Sequence, residues 1–475
     1  MSSSARMGSL EATLQGRLVR RESQGRLRHL VIPRSDLVDF SSNDYLSLSQ
    51  DLVLRDALIA HLDDSHKNHS STSSSRRAIG SGGSRLLDGN SAFVERLEQK
   101  ISNFHGSEAA LLFNSAYDAN VGLLSCVPGA EDIIIYDDLI HASIHDGMRL
   151  SRATRKIRFA HGSIIRGTRR LISEKEGMNS TETSDSDGLE LVLKKLVDTD
   201  RQIQYGKSNV FICVEALYSM DGDVADLEYI SDVVQSLLPK GNGYIIVDEA
   251  HSIGILGERG RGLVCQLELQ DRIWARVVGF GKAFGCAGGA IICSSIARLY
   301  LINYARTLIY TTAMSFPSLA IISAAYDYMI TGKADERQKQ LKTIIQYCHT
   351  KLKSLDQTSR STATTLHVPG GPLSSPIVPL FTNDPKSLAQ HCQKFGFMIR
   401  PIVAPTVPLG QERVRICLHA SNTFEQIDGL CDAIETWLGN LRTEKLREGS
   451  GDGQADIATE EESQKRSSMN IEAKL

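Results

Sequence analysis

Lys282 stands alone among glycines and apolar residues in VVGFGKAFGCAGGAIICS (277–294). A lysine is rarely buried unless it is paired or neutral. Desolvation lowers its pKa and leaves a neutral, nucleophilic amine near pH 7, the form that condenses with a carbonyl. The flanking glycines would let a flat group approach the backbone closely. The competing reading is a strand-end lysine with its amine in solvent. A second element is IIVDEAHSIG (245–254), where Asp248 follows three apolar residues. A carboxylate at the end of a buried strand needs a partner. A helix cap or an ion pair would serve, and so would the cationic nitrogen of an aromatic ring. His251, three residues on, could bond a second edge of that ring or be merely structural.

Two further stretches add to the pattern. In LIHASIHDG (139–147), His141 follows the apolar run 132–138, and its imidazole could stack on an aromatic ring. FNSAYDAN (113–120) reads as a small-residue turn into a helix. Helix N-termini bind phosphate through their free N–H groups, although such turns also occur without a ligand.

These residues need a frame. Short runs rich in Ile and Val (132–138, 209–216, 243–250, 276–281 and 288–294) alternate with helical patterns. Runs of this kind fit strands buried on both faces. SAFVERLEQKISNFHG (91–106) is helical, with Ser91 as N-cap and Gly106 as stop. This order predicts an α/β domain with a mostly parallel sheet, whose ligands lie beyond the carboxyl ends of the strands. Strand signals at 375–381, 396–403 and 413–418 predict a smaller α+β C-terminal domain. The expected layout is an N-terminal segment 1–60, a large domain 61–330, a small domain 331–440 and a disordered tail 441–475. The polar stretch 162–188 reads as a surface insertion, and its Asn179-Ser180-Thr181 is a glycosylation sequon by spelling only.

Composition narrows the classes. Hydrophobic residues make up 41%, charged residues 23%, and the net charge is −3, which suits a globular chain and disfavours nucleic acid or an anionic membrane as partner. Nine scattered cysteines without a CxxC pair predict reduced thiols rather than a disulfide or zinc framework, and no metal site is expected. No apolar run reaches membrane-spanning length. The N-terminus lacks a secretory apolar region. Its Ser and Arg content faintly suits a mitochondrial presequence, against which stand Glu11, Glu22 and the i, i+4 spacing of Leu10, Leu14 and Leu18. The final AKL fits the loose form of the peroxisomal tripeptide, so import through its receptor is expected, with the cytoplasm as the other address.

Eight motifs in order carry a resemblance: FSSNDYLSLS (40–49), GSGGSRLLDG (80–89), DDLIHASIHDG (137–147), ALYSMDGDVADL (216–227), VDEAHSIGILGERGRG (247–262), GFGKAFGCAGGA (279–290), LIYTTAMSFP (308–317) and PTVPLGQERVRICLHAS (405–421). From about residue 10 to 438 the chain resembles the α-oxoamine synthases, enzymes of pyridoxal 5'-phosphate (PLP) with the type I, aspartate-aminotransferase-like fold. It looks most like the 8-amino-7-oxononanoate synthase branch, an acyltransferase of biotin synthesis. GSGGSR and PTVP favour that branch. The resemblance implies L-alanine and a pimeloyl thioester, on CoA or a carrier protein, as substrates, and a homodimer with a shared site. Serine or glycine with another acyl-CoA is the runner-up.

The resemblance also implies roles. Lys282 would hold PLP covalently and move Cα protons. Asp248 would hold the pyridinium, and His251 and Ser219 the phenolic oxygen side. His141 would stack on the ring, and Ala116 and Tyr117 would line the phosphate turn. Thr311 and Thr312 would reach the phosphate bound by the partner subunit. Arg415 would clamp the substrate carboxylate, supported by Asn43, while Thr406 would touch substrate. Three positions depart from the family pattern: Ala116 replaces a usual glycine, Gly279 a usual threonine, and Ser47 a usual glycine. Two other readings compete. GSGGSR as a dinucleotide loop lacks the third glycine and a preceding strand. A non-catalytic partner subunit would be expected to lose Lys282 or Asp248, and both are present.

Overall fold

The computed structural model describes residues 8–30, 32, 34–67, 79–164, 187–359, 366–369, 375–404, 406–441 and 443. Most of the polar insertion with Asn179, almost all of the tail and the terminal AKL lie outside the described residues. The chain forms two compact units, one ending at Val38 and one beginning at Asp39, with the two-residue strand β1 (Val38–Asp39) at the boundary. In the first unit, α1 (Ser9–Ser23) carries Leu10, Leu14 and Leu18 on its surface, all exposed.

The second unit is built on a seven-stranded sheet. Its strands are β2 (Ala109–Phe113), β3 (Ile133–Asp137), β4 (Arg155–Phe159), β5 (Val210–Glu215), β6 (Gly243–Asp248), β7 (Ala275–Gly279) and β8 (Gly289–Cys293). The spatial order is β2-β8-β7-β6-β5-β3-β4. The pairs from β4 through β7 are parallel, and β8 runs antiparallel to both β7 and β2. All strands but β8 therefore point the same way. β5, β7 and β8 are buried throughout, as their continuous Ile/Val runs require. β2 (AALLF) and β4 (RKIRF) lack that signature. β2 is made of helix-favouring Ala and Leu. β2 and β4 are the two edge strands, and at β4 exposed Arg155, Lys156 and Arg158 disfavour further pairing.

Helices pack on this sheet through one core. On one face, α4 (Ala116–Cys126) and α5 (Ala142–Leu150) bury Leu123, Leu124, Ile144 and Met148 against Ile134, Val277 and Ile291. Each such side chain contributes about 1.5–3 kcal/mol on burial. Between Leu52–Lys67 (α2) and α4, helix α3 (Ala92–His105) follows its sequence signals closely. Ser91 Oγ caps the Val94 N–H, and Gly106 ends the helix at φ +64. A second sheet, order β12-β13-β10-β9, is antiparallel and comes from β9 (Leu366–His367), β10 (Ile377–Thr382), β12 (Arg400–Ile402) and β13 (Arg413–Cys417), with β11 (Phe397–Met398) preceding β12. Among the described residues no helix is long and apolar enough to cross a membrane, and none of the nine cysteines is in a disulfide.

Candidate active site

The turns after β2, β3, β5, β6 and β7 bring Ala116, His141, Ser219, His251 and Lys282 to the carboxyl edge of the large sheet. Asp248 ends β6, in register with Glu215 on β5 and Val277 on β7. It is buried. Its Oδ2 accepts from Asn120 Nδ2 at 2.7 Å and its Oδ1 from the Ala250 N–H at 2.9 Å. Asn120 also donates to Ser143 Oγ (3.0 Å), which lies 2.8 Å from His141 Nδ1. His141 caps α5 by accepting the Ser143 N–H on that same nitrogen at 3.2 Å. A chain of polar contacts thus ties the β6 carboxylate to the imidazole.

Lys282 lies in the turn after β7. Phe280 and Phe284 anchor that turn, with ring centroids 5.8 and 5.0 Å from Tyr326. The glycines around the lysine serve protein contacts. A Cβ at Gly285 (φ +63) would lie 2.4 Å from the Ser49 N atom, and one at Gly254 (φ +84) would lie 2.6 Å from Ala283 Cβ. Both seat the lysine turn against neighbouring chain, whereas a Cβ at Gly281, directly before Lys282, would meet only the Cys286 carbonyl at 3.7 Å. Burial lowers the Lys282 pKa, Asp248 and Glu215 oppose this, and Arg415 adds to it. Burial also holds His251 well below the usual imidazole range, helped by Lys282 and Arg415. His141 is exposed overall, yet partial desolvation lowers it, with Asp248 opposing and Lys282 adding.

Arg415 comes from β13 of the small sheet. Its Nη2 donates to Asn43 Oδ1 at 2.9 Å and its Nη1 to the Ser219 carbonyl at 3.0 Å. Asn43 Oδ1 also accepts from Tyr45 Oη (3.1 Å), which lies 2.8 Å from His251 Nδ1. The arginine is therefore linked through Asn43 and Tyr45 to the histidine of the β6 turn. The Ser219 turn is itself held to the small sheet. Arg413 pairs with Asp221, and a Cβ at Gly222 (φ +72) would run into the Ile377 carbonyl. Asn114 Nδ2 donates to Thr311 Oγ1 (3.3 Å) and the Thr312 carbonyl (3.1 Å), which ties those threonines to the turn before α4 of the same chain. Tyr117 is exposed, and its hydroxyl donates to Asp146. Thr406 is exposed, and among the described residues no hydrogen bond joins it to this network; its N–H bonds the Val403 carbonyl.

Four residues of this arrangement were not singled out from the sequence: Tyr45, Asn120, Ser143 and Glu215. Glu215 carries the same signal as Asp248, an acid closing an apolar strand (FICVE). Asn120 lies four residues after Ala116, one helical turn on. Burial, then the Asp248 charge, push the Glu215 carboxyl well above its usual value, with Lys282 opposing. Its Oε1 is buried without a hydrogen-bond partner.

The donor set suits PLP. Asp248 is a buried carboxylate that bonds an amide and an N–H, leaving its charge for a cationic ring nitrogen. A Cβ at Gly289 would lie 2.5 Å from the Ala116 N atom, so a glycine-floored turn sits at the start of α4. The first N–H groups of that helix have no intrahelical acceptor and suit a phosphate.

Comparison with known proteins agrees with this fold. Residues 35–434 match the family of class I and II aminotransferases. An 8-amino-7-oxononanoate synthase from Emericella nidulans is 45% identical over 438 residues, covering 92% of this chain and 98% of the relative. An aminoacyl transferase sphA from Aspergillus fumigatus is 35% identical, covering 90% of this chain and 86% of that one. In fold, a serine palmitoyltransferase from S. paucimobilis superposes with a TM-score of 0.72 at 21% identity, covering 91% of this chain and 100% of the other. The chain belongs to the class I and II aminotransferase family of PLP-dependent enzymes, on the branch of the C-acyltransferases.

Proposed function

We propose that the protein condenses L-alanine with a pimeloyl thioester, on CoA or a carrier protein, to give 8-amino-7-oxononanoate, CO2 and free thiol in biotin synthesis. The observation that carries this reading is the link from Arg415 through Asn43 and Tyr45 to His251. It sets a carboxylate-binding guanidinium beside the group of Lys282, Asp248 and His141. The 45% identity to an enzyme named for this reaction supports the substrate pair.

PLP bound here supplies a protonated ring that accepts electron density from the amino-acid Cα. Asp248 holds the ring N–H, and Asn120 and the Ala250 N–H hold Asp248. Arg415 takes the substrate carboxylate in a bidentate fork. Lys282, with its amine shifted toward the neutral form, removes the Cα proton. A Cα–acyl carbon bond forms as the thiolate leaves, the carboxylate departs as CO2, and Lys282 returns a proton to Cα. With PLP bound, His141 would cover a face of the ring, and His251 and Ser219 would hold its phenolic edge.

Product mass spectrometry tests this. Purified protein with PLP, L-alanine and pimeloyl-CoA should yield the mass of 8-amino-7-oxononanoate; L-serine or glycine with a long-chain acyl-CoA should not. A product only from one of the latter pairs would move the enzyme to the second reading, which the sphA relative favours. We also propose a homodimer, in which Thr311 and Thr312 reach the partner's phosphate site; an active monomer in ultracentrifugation would contradict it. Peroxisomal import through AKL is proposed on the tripeptide alone. Deleting it should release a tagged protein into the cytosol, and an unchanged location would refute it.

A further inference from the structure

Two departures from the family pattern meet in space. Gly279 closes β7 and pairs with Gly289 of β8. Its φ lies outside the left-handed region, so no conformational demand requires glycine there. Space does. A Cβ at 279 would stand 3.0 Å from Ala250 Cβ and 3.2 Å from Ala116 Cβ. Methyl groups in a packed interior do not approach so closely without displacement.

Ala116 has little room to retreat. Its N atom sits over Gly289, 2.5 Å from where a Cβ there would be. One residue before it, Ser115 Oγ caps the Asp118 N–H at 3.0 Å and donates to Asp118 Oδ2 at 2.8 Å, which pins the first turn of α4. Thr307 Oγ1 holds the Asp118 carbonyl at 2.6 Å. Ala250 is held as well, since its N–H bonds Asp248. The methyls of Ala250 and Ala116 therefore both occupy space that a side chain at 279 would need, Ala250 standing the nearer, and the surrounding bonds keep them there.

We propose that Ala116 and Gly279 are one exchanged pair: bulk has moved from the end of β7 to the first residue of α4, so that neither position tolerates the usual family residue alone as well as both together. With no hydroxyl at 279, the cofactor phosphate relies on the N–H groups of Ala116 and Tyr117. This part rests on the PLP reading above. The packing of the pair does not.

A double-substitution cycle tests it, using the full chain. The variants are Gly279→Thr, Gly279→Ala, Ala116→Gly and the double variant with Gly279→Thr and Ala116→Gly. Two quantities are read: the thermal midpoint of the PLP-free protein, and PLP affinity from titration of its absorbance band. Gly279→Thr should weaken PLP binding by about tenfold or more and lower the PLP-free midpoint by several degrees, as overpacking does. Gly279→Ala should do the same to a smaller extent, which keeps the test open if the threonine variant does not fold. Ala116→Gly alone opens a void beside Gly279 and should itself weaken PLP binding and lower the PLP-free midpoint, and the double variant should lose less than the sum of the two single changes, with Ala250 keeping the recovery incomplete. Additive effects, or a Gly279→Thr variant that binds and melts like the parent, would overturn the pairing. A parent that takes up no PLP would refute the cofactor reading separately, and the PLP-free midpoints would still decide the pair.

Discussion

Two acid–histidine clusters sit at the carboxyl edge of the same sheet, and they are built differently. At the end of β3, Asp137 lies 2.9 Å from His161 Nδ1, and Asp223 lies 2.6 Å from its Nε2. The ring is further held edge-on to Tyr218 with centroids 4.4 Å apart. Burial opposes charge there, yet the two carboxylates lift His161 to about 10, so the imidazolium is matched on both sides. At the end of β6, Asp248 bonds only an amide and an N–H, and His251 bonds a tyrosine. One cluster answers its charges with ion pairs inside the chain, although Asp223 Oδ1 is left without a hydrogen-bond partner. It locks the turn that carries Ser219 and Asp221 to the loop after β4. The other keeps a charge uncommitted beside a half-buried lysine. A buried acid whose charge the protein leaves unanswered points to a ligand, and a saturated one points to structure.

Breaking the open cluster should cost the most activity and the least stability. Asp248→Asn removes the charge meant for the ring nitrogen, and kcat should fall about a hundredfold to several thousandfold, as for loss of one partner of a buried charge pair. Its amide must turn an NH2 toward the Asn120 amide or the Ala250 N–H, so the thermal midpoint should fall as well, though less than that of the His161→Gln variant below. A variant with nearly full kcat would show that Asp248 is structural, like Asp137.

Breaking the closed cluster should do the reverse. His161→Gln should cost about 3 kcal/mol of stability, because it strands the buried Asp137 and the partly exposed Asp223. It should also remove a pH dependence. The folded pKa of His161 is raised from 6.5 to about 10, so its contribution is complete below 6.5 and is lost as pH rises through about 10. The parent's stability advantage over His161→Gln should therefore shrink across that window in denaturant titrations. A constant gap would mean the imidazole is neutral in the fold.

Glu215 sharpens the contrast from between the two. Burial and Asp248 favour its protonated form, with Lys282 opposing, and Glu215→Gln keeps the shape of that form. We expect kcat within about tenfold of the parent, since the amide is close in shape to the favoured acid. A loss as large as that of Asp248→Asn would make Glu215 a working carboxylate. The smallest effect concerns Ser47, which holds φ +54 and bonds Ser421 Oγ at 2.7 Å. Glycine relieves the left-handed strain but loses that bond, so Ser47→Gly should change stability by less than about 1 kcal/mol. A larger loss in a melting curve would assign most of the local stability to the serine pair.

Much of this site was legible because strand ends leave marks in one dimension. Asp248 follows an apolar run directly, His251 comes three residues later and Lys282 lies in the turn after the next run, and burial of a polar group there needs a reason that local sequence already states. α3 was readable at both ends for the same kind of reason, since caps are local chemistry. Asn120, Ser143 and Tyr45 were not. Asn120 acts on Asp248 from 128 residues away and Tyr45 on His251 from 206, while Ser143, only two residues from His141, is joined to Asp248 through Asn120. Nothing in their own neighbourhoods marks them as different from ordinary polar residues. β2 and β4 escaped too, one because Ala and Leu favour helix, the other because an edge strand wears charge.

The sequence by itself determined the alternation of strand and helix, the lysine and the acid at successive strand ends, and the family to which their order belongs. Those follow from periodicity and from the cost of burying charge, both of which are written residue by residue. Only the tertiary structure decided which acid is saturated and which is open, that Arg415 reaches His251 through Asn43 and Tyr45, and that Ala116 and Gly279 share one space. Distances between segments far apart in the chain are set by how the sheet and its helices pack, and no local pattern records them.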